Sequence, residues 1–101
     1  RALGAQLEVV KTASIANPQH PVNVARRRAA ELGVGSIFCN QFQNLANMRA
    51  HEQGTAREVW EQTGGQVDAF VMGAGTGGTI AGVSRYLKAR KASVQVFLAD
   101  P

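Results

Sequence analysis

Cysteine is almost missing from this sequence: Cys39 stands alone among 101 residues. No intrachain disulfide can therefore form, which fits a reducing compartment. Histidine is nearly as scarce, and His20, His51 and Cys39 have no metal-ligand spacing among them, so no metal site is expected. Aromatic residues make up 6% and prolines number three. No apolar run approaches the roughly 18 residues needed to span a bilayer, and no charged-then-apolar leader is legible. What is there has globular proportions, 45% hydrophobic and 18% charged with 11 glycines, which excludes disorder, collagen and low-complexity arrays. At roughly 100–200 residues per domain, the length allows one domain at most.

Eleven Lys and Arg against seven Asp and Glu leave a formal net charge of +4. The excess lies in Arg26, Arg27 and Arg28 and in Arg85, Lys88, Arg90 and Lys91. Nucleic-acid binding would want these on one face with interleaved aromatics. Instead each cluster falls within an expected helix or at its C-terminal end, where cations complement the macrodipole. No nucleic-acid partner is expected.

The periodicity alternates between strand and helix. Residues 7–12 (Leu-Glu-Val-Val-Lys-Thr) and 36–39 (Ser-Ile-Phe-Cys) read as short strands. Between them Pro21 opens a helix running to about Leu32 and stopped by Gly33, with Val22, Ala25, Ala29 and Leu32 as its buried stripe. Residues 45–52 read as a short helix ending at Gly54. Thr55-Ala56-Arg57-Glu58 matches a capping box with Thr55 as N-cap, so a further helix follows, ended by Gly64-Gly65. Residues 67–72 form the clearest strand, residues 79–90 an amphipathic helix with Ile80, Val83 and Leu87 inward, and residues 94–99 a closing strand.

This order predicts an α/β fold: three layers, a largely parallel sheet, and helices on both faces. Strands apolar on both sides need more cover than 101 residues supply. The start at Arg1-Ala2-Leu3-Gly4, which reads as a helix tail, and the stop at Asp100-Pro101 add to the expectation of a fragment from the middle of a larger protein.

The most informative stretch leads from the strand at 67–72 into the helix at 79–90: Gly73-Ala74-Gly75-Thr76-Gly77-Gly78-Thr79. A glycine-rich turn between a strand and a helix N-terminus suits anions, because phosphate oxygens can approach unpaired backbone N–H groups. Gly73, Gly75 and Gly78 satisfy G-x-G-x-x-G, and Asp100 lies 22 residues beyond Gly78, so a dinucleotide-binding domain with Asp100 on a ribose is one reading. Thr76 and Thr79 favour the other, since two extra hydroxyl donors suit the three exposed oxygens of a terminal phosphate monoester. Pro101 also stiffens the place where a ribose would sit.

With these residues in view, Gly73 to Gly82 resembles the phosphate loop of the cysteine synthase and cystathionine β-synthase family, pyridoxal-phosphate enzymes of the tryptophan-synthase-β fold. Asn40-Gln41-Phe42-Gln43-Asn44, with Ala46-Asn47 and Arg49-Ala50-His51, resembles the family's Gln-Phe-x-Asn-Pro-Ala-Asn segment. Glu58 to Gly65 and Val67 to Val71 resemble the stretch between them. Gln62-Thr63-Gly64-Gly65 and Leu98-Ala99-Asp100-Pro101 are most similar to fungal-type cysteine synthases. Leu45 stands where the family has Pro, a departure that bears on the pose of Gln41 and not on the cofactor.

The resemblance implies a fold-type II enzyme using pyridoxal 5'-phosphate, with residues 1–39 from the smaller, mobile domain side and 40–101 leading into the cofactor domain. Gly75, Thr76, Gly77, Gly78 and Thr79 would hold the cofactor phosphate. Gln41 would bind the substrate α-carboxylate and Phe42 would line the same cavity. An amide N–H₂ can serve a carboxylate without adding charge beside the cofactor. The implied reaction is β-replacement, in which O-acetylserine loses acetate and gains sulfide to give L-cysteine. Homocysteine as nucleophile would make the enzyme a cystathionine β-synthase instead. The cofactor-bearing lysine is expected outside this stretch, since Lys11, Lys88 and Lys91 match no such position, and no catalytic residue is assigned within it. A non-catalytic, truncated chain is the remaining alternative. The parent enzyme is expected to be a homodimer, in the cytoplasm or alternatively the mitochondrion. Cys39 is expected to be an inert core residue, His51 structural or exposed, and Trp60 core or interface.

Overall fold

A computed structural model describes residues 3–100, and the chain divides between Asn40 and Gln41 into two compact units. The readings that involve Arg1, Ala2 and Pro101 lie outside the described residues.

Among its described residues the first unit holds one helix, α1 (Pro21–Leu32), with Pro21 at its first turn. His20 caps it, its Nδ1 accepting from the Val22 N–H at 3.2 Å. Gly33 closes it at φ +66°, donating its N–H to the Ala29 carbonyl. The expected stripe is only half realised: Val22 and Ala29 are half-buried, whereas Ala25 is exposed and Leu32 is 70% exposed. The arginine triplet is spent on local contacts. Arg26 lies over the Phe38 ring, Arg27 donates to the Pro18 carbonyl, and Arg28 pairs with Glu8 and Glu31.

Neither strand expected in this unit forms. Among the described residues, 7–12 and 36–39 run without a strand ladder, because a β-branched run becomes a strand only beside another strand. Cys39 is consequently exposed, not a core residue.

The second unit carries the rest: α2 (Ala46–Gln53), α3 (Thr55–Gln62), β1 (Ala69–Met72), α4 (Gly78–Arg90) and β2 (Gln95–Leu98). β1 and β2 pair in parallel, Val71 opposite Phe97, with α4 as the connection between them. Among the described residues the sheet has these two strands, so the parallel pairing expected from the sequence forms while the sheet is incomplete. The core is Ala56, Val67, Val83, Leu87 and Val94, with Val59, Trp60, Phe70, Tyr86 and Val96 packed around it. Val83 and Leu87 face inward as their spacing predicts, and Ile80 is half-buried. Trp60 packs against the core, and its ring fills the place where a β-carbon on Gly65 would stand.

The capping box is not used. Gly54 is the N-cap of α3, and the Thr55 hydroxyl bonds His51 Nδ1 at 3.0 Å instead of capping the helix. Lys91, directly after α4, binds the Asp68 carboxylate at 2.7 Å just before β1.

Helices α2 and α4 pack backbone to backbone because α4 offers two glycines one turn apart, Gly78 and Gly82, both buried. A β-carbon at Gly82 would stand 2.7 Å from the Glu52 nitrogen and nearer still to the Met48 carbonyl oxygen. This approach positions the site described next.

Candidate functional site

The glycine loop leaves β1 after Met72 and enters α4 at Gly78. Gly77 turns it, at φ +80°, in the left-handed region that a side chain would strain. Gly77, the N-cap of α4, has no side chain to cap the helix, so the positive end of the dipole stays open. Nothing lies within 4 Å of where a β-carbon would stand on Gly75 or Gly77. Open space, an uncapped helix and a left-handed turn together make an anion cradle, and these residues fit a phosphate group.

Gln41 and Phe42 lie in the turn preceding α2, and both are exposed. A cleft of about 170 Å³ joins that turn to the loop, with Gln41, Phe42, Asn47, Thr76, Gly77 and Gly78 in its wall. Five of the seven residues singled out from the sequence thus line one cleft. Gly75 belongs to the same loop and Thr79 to the first turn of α4, but neither lines it. Every lining residue is uncharged, so an anion there is met by N–H and O–H dipoles alone.

Two side chains on α2 organise the loop. Asn47 Nδ2 donates to Thr76 Oγ1 at 2.8 Å and to the Gln41 carbonyl at 3.1 Å. The Gly78 N–H approaches the same Thr76 oxygen at 3.4 Å. His51, half-buried, sets its Nε2 3.2 Å from Thr79 Oγ1 and its Nδ1 against Thr55. His51 is therefore a structural bridge holding the hydroxyl that opens α4. Asn47 carried no role in the sequence reading, and no spacing rule links residue 47 to residue 76.

Leu45, at the position of the family's proline, is the N-cap of α2 with φ −62°. That angle is already within proline's range, so the turn holds without the ring.

Such a strand, loop and helix suit an anion, and the comparisons place the chain among pyridoxal-phosphate dependent enzymes. The family described as "Pyridoxal-phosphate dependent enzyme" matches residues 1–101, and the chain belongs to it. Cysteine synthase 2 of Schizosaccharomyces pombe is 50% identical over 105 residues, covering 98% of this chain and 27% of that protein. Cysteine synthase 2 of Neurospora crassa is 52% identical over 107 residues, covering 98% of this chain and 24% of its own length. Cysteine synthase A of Escherichia coli is 43% identical over 91 residues, covering 90% of this chain and 28% of its own length. The chain thus spans about a quarter of the length of these relatives.

Proposed function

We propose that this chain supplies the cofactor-phosphate cradle and the substrate-carboxylate turn of a cysteine synthase, an enzyme making L-cysteine from O-acetylserine and sulfide by β-replacement. One observation carries the reading: the glycine loop and the Gln41 turn wall a single uncharged cleft. The names and identities of the relatives support the choice of reaction. No observation favours homocysteine as nucleophile, a dinucleotide on Asp100, or a non-catalytic chain.

In this reading the N–H groups of Gly75 and Gly77 and the hydroxyls of Thr76 and Thr79 take the phosphate oxygens, with Gly78 opening α4 behind them. The positive end of the α4 dipole favours that charge. Gln41 donates its side-chain N–H₂ to the substrate α-carboxylate, and Phe42 shields the same place from water. When bound, pyridoxal phosphate supplies an electron sink for the pair released at the substrate Cα. The residues of this chain bind and orient, and the base lies elsewhere: Lys88 is exposed in the last turn of α4 and Lys91 is held by Asp68.

The division at Asn40 and Gln41 supports assigning the first unit to a smaller, mobile domain and the second to the cofactor domain. The open sheet face, with Val71 61% and Phe97 48% exposed, supports the fuller three-layer arrangement of the fold once further elements cover it.

Visible absorption of the purified full-length protein carrying this chain tests the reading. A cofactor band that changes on adding O-acetylserine, with cysteine released when sulfide follows, is the expected result. A colourless protein that cannot be reconstituted with pyridoxal phosphate overturns it.

A further inference from the structure

We infer that Asn47 is a positioning residue that locks the Gln41 turn to the phosphate loop, so that the carboxylate-binding and phosphate-binding ends of the cleft are held as one unit. This rests on the reading given under Proposed function. A primary carboxamide has two N–H donors. Asn47 uses one on the Gln41 carbonyl at 3.1 Å and the other on Thr76 Oγ1 at 2.8 Å. The bond to Gln41 is to its main chain, which fixes the turn and leaves the Gln41 side chain available to a substrate.

The bond to Thr76 is directional in its effect. The Thr76 oxygen accepts from Asn47 on one side and, at 3.4 Å, from the Gly78 N–H on another. With its acceptor capacity taken, the hydroxyl has its own proton left to give, and an anion in the cleft is there to receive it. The carboxamide fits because Gly78 has no side chain: a β-carbon there would overlap the Asn47 oxygen and amide. Other residues at position 47 fail for stated reasons. Aspartate has no donor and sets a charge beside the anion, serine has one donor, and glutamine carries its amide one methylene too far.

The test uses Asn47→Ala and Asn47→Gln in the full-length protein. Two constants are read by visible absorption: the Kd for pyridoxal phosphate, and the O-acetylserine concentration that half-changes the cofactor band. Melting temperature is followed alongside. Both constants should weaken together by about fivefold, the order expected for one lost hydrogen bond at each end. In a Thr76→Val background, Asn47→Ala should weaken cofactor binding no further.

A variant that melts earlier but keeps both constants within about twofold, on the same scale, overturns the inference and leaves Asn47 merely structural. If Asn47→Ala does not fold, Asn47→Gln decides by the same two constants. A wild-type protein that fails to bind pyridoxal phosphate overturns the proposed function itself. A wild type that binds it beside variants that are unaffected overturns only the role of Asn47.

Discussion

The carboxamide of Asn47 lies in the space that a β-carbon on Gly78 would fill, so the second residue of α2 and the first residue of α4 share one site across their helices. The loop–turn tie is therefore written at two positions, one that supplies the donors and one that makes room for them. Gly78→Ala should act like the loss of Asn47. The methyl group would turn the carboxamide away, while alanine's better helix propensity, up to about 1 kcal/mol, offsets part of the packing cost. The expected result is a protein of nearly unchanged melting temperature whose pyridoxal-phosphate Kd rises about fivefold through one lost hydrogen bond. An unchanged Kd would show that the glycine is kept for packing alone.

Gly82 makes a harder demand, because its neighbours are main-chain atoms. A β-carbon there would press on the Met48 carbonyl and stand 2.7 Å from the Glu52 nitrogen. Backbone cannot rotate aside as a side chain can, so α2 must move as a body. Gly82→Ala should cost about 1–3 kcal/mol, measured as a lowered urea midpoint. A neutral or stabilising result would mean that α2 and α4 sit farther apart than described.

Leu45→Pro should be tolerated. Leu45 has φ −62°, its side chain is 57% exposed, and its position is the N-cap of α2. Proline then removes freedom from the unfolded chain at little cost to the folded one, a gain of about 0.4–1 kcal/mol. Equilibrium denaturation checks the sign, and a clear loss would point to restriction of Asn44 by the ring.

The Asp68–Lys91 pair predicts a small acid dependence. The hydrogen bond from Lys91, with its charge, holds the Asp68 carboxyl below its ordinary value. A carboxyl lowered on folding stabilises the protein above its unfolded value, and that contribution fades as pH falls through the folded one. Both partners reach the surface, Asp68 almost fully exposed, so the effect is modest and screened by salt. Asp68→Asn should lower the melting temperature at neutral pH in low salt and match wild type in strong acid or high salt. A constant offset at every pH would assign the effect to something other than this ion pair.

Much of the second unit was legible because its signals are local. The run from Ala69 to Met72, the glycines that follow, and the spacing of Val83 and Leu87 each act within a few residues. Helix α1 was legible for the same reason, from Pro21 at one end and Gly33 at the other. Its His20 cap was missed because a histidine acceptor is not among the usual capping residues. Where local signals compete, the nearest pattern misled: Thr55 and Glu58 spell a capping box, yet the Thr55 hydroxyl goes to His51 one turn back. The runs at 7–12 and 36–39 have strand chemistry, but strand formation is decided by a partner and not by the run itself.

By itself, then, the sequence determined the loop and its chemistry. Glycines without side chains, two threonine hydroxyls and a helix start directly behind them bring backbone donors and a helix dipole together, because both come with the local fold. Only the tertiary structure decided what that loop is tied to. The packing of α2 on α4, made possible by Gly78 and Gly82, set Asn47 between Gln41 and Thr76 and His51 against Thr79. Hydrogen bonds act over about 3 Å in space and carry no memory of separation along the chain. No local pattern could have announced those partners.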